Sequence, residues 1–173
     1  LTNPFKHLAK KVVVDLRLKK FARHERSLNF AEEFKKVKKV LIIVPSGNEY
    51  TESVQDFIKG AGLVFKNASV STFASSTLRK SDLTWFGIPN EKYLHLIRDE
   101  SFDLVLDINL RPDRVCAYLS ALSGAAMRLN LIGGDYDYIY NLHFRSDNAN
   151  NINERLNNII VCLNKFNPQK IMQ

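Results

Sequence analysis

The sequence predicts an α/β fold: a Rossmann-like three-layer sandwich with a mainly parallel central sheet, preceded by an N-terminal helical arm. Three observations predict it. Lys39–Pro45 (KVLIIVP) is a continuous apolar run rich in branched residues, the pattern of a central strand buried on both faces. Ser101–Asn130 (SFDLVLDINLRPDRVCAYLSALSGAAMRLN) reads as strand, loop, helix and second strand. Asn151–Phe166 carries Ile152, Leu156, Ile159, Ile160 and Leu163 at helical spacing. Strands alternating with helices in this order form the doubly wound pattern.

The remaining elements follow in order. Pro4 to Arg26 is expected to be helical, with Asn3 as cap and Pro4 at the first position. Its apolar stripe is read as Phe5, Leu8, Val12 and Leu16, broadened by Val13 and Leu18. A short helix is expected at Phe30–Val37, started by Ser27 or Asn29. Beyond the first strand, a helix over Thr51–Lys59 turns Val54, Phe57 and Ile58 inward, and Gly60 and Gly62 are expected to end it. Leu63–Ala74 reads as an outer strand. Asn90 caps a helix over Glu91–Arg98. Pro112 opens the helix that ends near Leu122, with Gly124 placed to cap it. Tyr138–Phe144 alternates and is read as a last strand. The domain division is therefore an arm at 1–38, an α/β domain at 39–166 and a tail at 167–173.

Charge separates these parts. Residues 1–39 hold 12 Lys and Arg against 4 Asp and Glu, a net of +8, while the rest hold 13 against 14. The basicity belongs to the arm and implies a local anionic partner rather than a globally basic nucleic-acid binder. No aromatic residues alternate with these charges, and no nucleic-acid reading motif occurs, which argues against nucleic acid. The arm is amphipathic. Its apolar stripe can dock on the domain, pair with a second copy in a homodimer, or lie on an anionic membrane surface through Lys10, Lys11, Lys19 and Lys20. No apolar run approaches the roughly 20 residues of a membrane span, and the opening residues lack the apolar core of a signal peptide. A cytoplasmic protein, peripheral to the inner membrane, is the expected setting.

Chemistry is sparse. Cys116 and Cys162 read as small buried hydrophobes, and the four histidines are scattered. No metal and no cofactor is implied. Ligands of open α/β sheets bind beyond the carboxyl ends of the central strands, where two loops qualify. In the first, Ser46, Asn48 and Thr51 offer donors near a helix start, and Glu49 is the single candidate base. It is neither a dinucleotide fingerprint nor a phosphate loop. In the second, Asp107, Asn109 and Arg111 stand at the mouth of the later strand. Asp107 is expected either to pair with Arg111 or Arg114, or to fix the loop to the following helix. Asp135 and Asp137 with Tyr136, Tyr138 and Tyr140 suit a carbohydrate or the two faces of a strand. Trp85–Pro89 is an aromatic turn, packed on the core or exposed for interaction. No nucleophile elbow or activated cysteine occurs, so hydrolase chemistry finds no support.

The pieces KKVLIIVPS, SFDLVLDINLRPDRVCAYLSALSGAAMRLNL and NINERLNNIIVCLN together resemble the N-terminal, acceptor-side half of heptosyltransferase-type glycosyltransferases of the GT-B type. That resemblance implies an aspartate base in the loop after the first strand and a second domain for the nucleotide sugar. Here the loop reads Pro45-Ser46-Gly47-Asn48-Glu49-Tyr50, with no Asp, and Glu49 is the only substitute. The segment SDLTWFGIPNEKYLHLI followed by FDLVLDINL is also similar to small single-domain proteins of Bacteroidetes-type bacteria, over about residues 10–166, and this likeness implies no activity. The function expected is a Rossmann-like module, non-catalytic on its own, with a basic arm for self-association or cell-envelope contact. The alternative is the acceptor-binding half of a glycosyltransferase.

Overall fold

A computed structural model describes residues 12, 14–21, 28–47, 51–145 and 151–166. Five strands form one sheet: β1 (Lys39–Ile43), β2 (Ser69–Phe73), β3 (Leu104–Asp107), β4 (Met127–Asn130) and β5 (Leu142–His143). The order is β2-β1-β3-β4-β5 and every pairing is parallel. This is the doubly wound order of flavodoxin-type sheets, whose switch point lies between β1 and β3. The apolar runs at the first strand and at Ser101–Asn130 thus supply its three central strands. Their starts are joined through Asp103, whose Oδ2 accepts the amides of Lys38 at 2.8 Å and Lys39 at 2.9 Å.

Alternation sorts the side chains onto two faces. Val40, Ile42, Leu104, Leu106, Met127 and Leu129 face α3 (Thr51–Val64) and α6 (Ile152–Phe166) in the largest core cluster. α2 (Phe30–Lys36) closes this side: Phe34 stacks on Phe65 and Phe166 at 6.4 and 5.5 Å between centroids. Residues assigned by sequence to the arm, Phe34 and Val37, therefore belong to the main core. On the other face, Leu41, Ile43, Phe73 and Val105 meet α5 (Arg114–Leu122), with Tyr93 and Ile97 of α4 (Glu91–Asp99) packed against them.

That second face has an unusual half. β4 turns Arg128 and Asn130 toward it, and the β4–β5 connection there holds only a 3-10 turn at Asp137–Ile139. Helix α1 (14–21) fills the place. Val14 and Leu18 bury against Ile88, Leu94, Tyr118, Ala121, Ile139 and Tyr140, with Phe21 half-buried beside them. Arg17 donates to the Tyr118 hydroxyl at 3.3 Å. Buried Arg128 lies under Phe21, 5.1 Å from the ring centre, and donates to the carbonyls of Ile139 at 2.8 Å and Ala125 at 2.6 Å.

Several expectations need correction. The docked stripe of α1 is Val14–Leu18–Phe21, not the face containing Val12 and Leu16, which are 49% and 62% exposed. The helix after β1 does not stop at Gly60. It continues to Val64, because Gly60 lies against α6, where an added Cβ would come 3.2 Å from Ile160. The outer strand accordingly begins only at Ser69. The last strand shrinks to Leu142–His143, since Tyr138 and Ile139 lie in the 3-10 turn and Tyr140 ends it. Asp113, rather than Pro112, sets the start of α5. The expected helix at 4–26 is described at residue 12 and residues 14–21 only; the rest of it, and the tail at 167–173, lie outside the described residues.

Candidate functional site at the carboxyl ends of the strands

The strand register brings one residue from every strand into a single row. Phe73, Ile43, Asp107, Asn130 and His143 are successive partners across the sheet. Three of the five are polar, and they mark the end of the sheet where ligands of this fold class bind.

Asp107 is buried there, and both carboxylate oxygens are occupied. Oδ2 accepts a hydrogen bond from the Tyr140 hydroxyl. Oδ1 accepts the Asn109 amide at 3.1 Å and the Asn109 side-chain Nδ2 at 2.8 Å. Of the two expected arrangements, neither Arg111 nor Arg114 pairs with it, and it holds its own loop through Asn109; Arg114 reaches the Phe86 carbonyl at 3.4 Å. Burial pushes the Asp107 carboxyl above the usual carboxylate range, and the hydrogen bonds from Tyr140 and Asn109 pull it back in part. Burial and the neighbouring carboxylate push Tyr140 well above its ordinary value, so its hydroxyl keeps the proton it donates. The Cys116 thiol is buried and likewise pushed up by desolvation, which makes it unreactive.

A second network holds the loops beyond β1 and β2. Asp113 Oδ1 caps α5 by accepting the amides of Val115 at 2.7 Å and Cys116 at 3.0 Å. Its Oδ2 accepts the Ser75 hydroxyl at 3.0 Å, and Ser75 Oγ lies 3.0 Å from Ser46 Oγ. Ser46 Oγ also accepts the Ser76 amide at 3.2 Å. The proton inventory fixes the direction. Ser75 donates to Asp113, so Ser46 donates to Ser75. No histidine takes part, and the chain of hydroxyls ends on a helix cap.

A third network surrounds Asn130. Its Nδ2 donates to the Ile132 carbonyl at 2.9 Å and to Asp137 Oδ1 at 3.0 Å. Its Oδ1 lies 2.9 Å from His143 Nδ1 and accepts Arg145 at 3.3 Å. Arg145 also pairs with Asp137 at 3.3 Å. Asp137 is thus a bracket for the β4–β5 connection. Tyr138 packs against α1's cluster with its hydroxyl pushed to about 12, chiefly by burial.

Between these networks lies a cavity of about 20 Å³ bordered by Asp107, Asn109, Asn130, Asp137 and Tyr140. Gly134 closes over it against Pro112, where an added Cβ would sit 2.8 Å from the proline Cγ. Such a space holds about one water. Outside Pro112, an open cleft of about 320 Å³ runs between Pro45–Gly47 and Asn109–Asp113, with Arg111 exposed on its wall.

The structure thus brings Asp107, Asn109 and Arg111 to one loop and Ser46 to the facing one. Thr51 begins α3. Asn48 and Glu49, the single base candidate, lie outside the described residues, as do Lys10 and Lys11. Lys19 and Lys20 are described and exposed on α1. Trp85 is exposed, its ring tilted against half-buried Phe86 with 3.9 Å between centroids, so the aromatic turn is anchored by Phe86 and Ile88 and open at Trp85. Sequence reasoning did not pick out Tyr140 as Asp107's partner, or Asn130 and Arg128 as buried polar groups. The one available signal was the alternation of Arg128 and Asn130 with Met127 and Leu129 in an otherwise apolar strand. Among the described residues, no His, Cys, Asp or Glu group could hold a metal ion, and no helix is long and apolar enough to cross a membrane.

Strand order, sheet face and these networks define the class: a doubly wound α/β domain with an additional N-terminal helix on one face. Within that class, residues 10–166 match the model of DUF6913, a family of unknown function, and the chain belongs to that family. No curated protein and no solved structure matches it.

Proposed function

We propose that the protein is a non-catalytic Rossmann-like module that works by docking, with its basic N-terminal helix as the contact surface for self-association or for the cell envelope. One observation carries this reading. At the end of the sheet where this fold class binds ligands, Asp107, Asp113 and Asp137 are all held by internal hydrogen bonds. On this reading the protein acts in the cytoplasm, peripheral to the inner membrane.

The test is a thermal-shift panel of nucleotides and nucleotide sugars. A ligand at a hundred times its Kd adds about 2.7 kcal/mol to stability, a shift of several degrees. The expected result is no shift with any of them. A reproducible, saturable shift overturns the reading.

The open cleft beside Ser46, Asn109 and Arg111 favours one alternative, the acceptor-binding half of a heptosyltransferase-like glycosyltransferase completed by another domain or partner. It lies at the switch point of the sheet, where an acceptor would be held. A shift with an acceptor sugar but with no nucleotide supports that alternative.

A further inference from the structure

A second open cleft lies beside Pro112, at the start of α6. It measures about 360 Å³ and is lined by Leu110 and Pro112 of the β3–α5 loop, by Leu131 and Ile132 beyond β4, by Arg145 beyond β5 and by Arg155 in the first turn of α6. Leu131 and Ile132 join the core cluster under α3 and α6 and give the cleft an apolar wall. The two arginines differ. Arg145 is fixed: it donates to the carbonyls of Asn130 at 3.4 Å and Phe144 at 3.3 Å, and its charge is offset by Asp137 at 3.3 Å. The Asn130 network thus also holds a guanidinium at this cleft. Arg155 is half-buried, and among the described residues its side chain makes no hydrogen bond or ion pair. Among the described residues no Asp or Glu lines the cleft. One uncompensated positive charge therefore stands beside an apolar wall.

We propose that this cleft binds a small monocarboxylate with an apolar body, its carboxylate received by Arg155 with Arg145 beside it and its body laid on Leu110, Leu131 and Ile132. Charge and chemistry select the class. The guanidinium fork matches the two oxygens of a carboxylate. One uncompensated charge suits a monoanion, whereas the phosphates of a nucleotide carry more charge than the cleft offsets. The apolar wall adds affinity only for a ligand with an apolar body to bury. Arg145 is already held in place, so ordering it costs the ligand little. Among the described residues no general base or nucleophile lines the cleft, so the site binds its ligand without transforming it. The inference goes beyond the docking function proposed above and does not depend on it.

The experiment titrates the full chain with hexanoate into the millimolar range and follows nitrogen-15 correlation spectra at the amides of Ile132 and Gly133, which line the cleft. Hexanamide, which lacks the charge, and inorganic phosphate, which lacks the apolar body, are the controls. Hexanoate gives saturable shifts at both amides, and each control binds at least tenfold more weakly. Arg155→Gln raises the hexanoate Kd at least tenfold, the loss of a charge-assisted hydrogen bond. Arg155→Lys, which keeps the charge and loses the fork, falls between the two. Arg155 makes no internal bond among the described residues, so unchanged urea unfolding of Arg155→Gln shows the loss to be one of binding. No saturable shift with hexanoate overturns the proposal. So does hexanamide or phosphate binding as tightly as hexanoate, or hexanoate binding unaffected by Arg155→Gln. A silent hexanoate titration removes only this inference, whereas a saturable shift with nucleotides or nucleotide sugars removes the non-catalytic reading itself.

Discussion

Tyr140 donates its hydroxyl proton to Asp107 across the carboxyl end of β3, from a connection that contains a 3-10 turn in place of a helix. The bond joins the two halves of the second sheet face. Tyr140 belongs to the cluster under α1, and Asp107 ends the strand that runs over α5. Asp107, which the sequence offers as a ligand-binding residue or as a tie for its loop, is therefore a structural tie.

The first prediction concerns pH. Asp107's folded-state pKa lies above its unfolded value of roughly 3.9. The native protein thus holds this proton at pH values where the unfolded chain has released it. Its effect on stability is most favourable below the unfolded pKa and declines as pH rises through the folded one. Asp107→Asn removes that titration. Urea unfolding across pH should show the wild type losing stability relative to Asp107→Asn as pH rises, with the difference levelling above the folded-state pKa. Tyr140→Phe removes a bond that lowers this pKa, so it extends the decline to higher pH. It also costs about 1–3 kcal/mol at neutral pH, because a buried carboxylate oxygen loses its partner.

A second prediction separates the cap from the charge at Asp113. Asp113→Ala leaves the amides of Val115 and Cys116 uncapped and Ser75 without its acceptor, at a cost of about 1–2 kcal/mol in urea unfolding. Asp113→Asn keeps a capping oxygen and costs a few tenths of that scale. Equal losses in the two variants would instead assign the role to the negative charge.

The third prediction compares the two faces of α1. Leu18→Ala opens a cavity under the helix and costs about 2–5 kcal/mol. Leu16→Ala changes stability by less than about 0.5 kcal/mol, as a surface substitution does. Chemical denaturation of both variants decides the orientation of the helix.

Most of the sheet was legible because continuous apolar runs such as Val40–Ile43 and Leu104–Leu106 have no alternative to burial on both faces. Helices with strong apolar periodicity, α4 and α6, were legible within a residue or two. The errors have a common physical cause. Gly60 looks like a helix stop in sequence, yet it serves a close helix–helix contact that only the fold reveals. The alternation at Tyr138–Phe144 is real, but Ile139 and Tyr140 are buried by α1, a segment more than a hundred residues away. α1 itself carries apolar residues nearly all round, so spacing alone could not choose Val14–Leu18 over Val12–Leu16. At the candidate site, sequence placed Asp107, Asn109 and Arg111 correctly at one strand mouth. It could not foresee that Tyr140 would occupy the carboxylate, because that pairing depends on a turn it read as a strand.

The central claim is that the carboxylates at the carboxyl end of this sheet serve internal hydrogen bonds rather than a ligand. The most direct measurement is a nitrogen-15 correlation spectrum titrated with nucleotides and nucleotide sugars to millimolar concentration. Two amides report on the site: Asn109, bonded to Asp107, and Val115, bonded to Asp113. A non-catalytic module leaves both resonances in place throughout the titration. Saturable shifts at Asn109 and Val115 with any of these compounds would contradict the account and make the strand ends a ligand site.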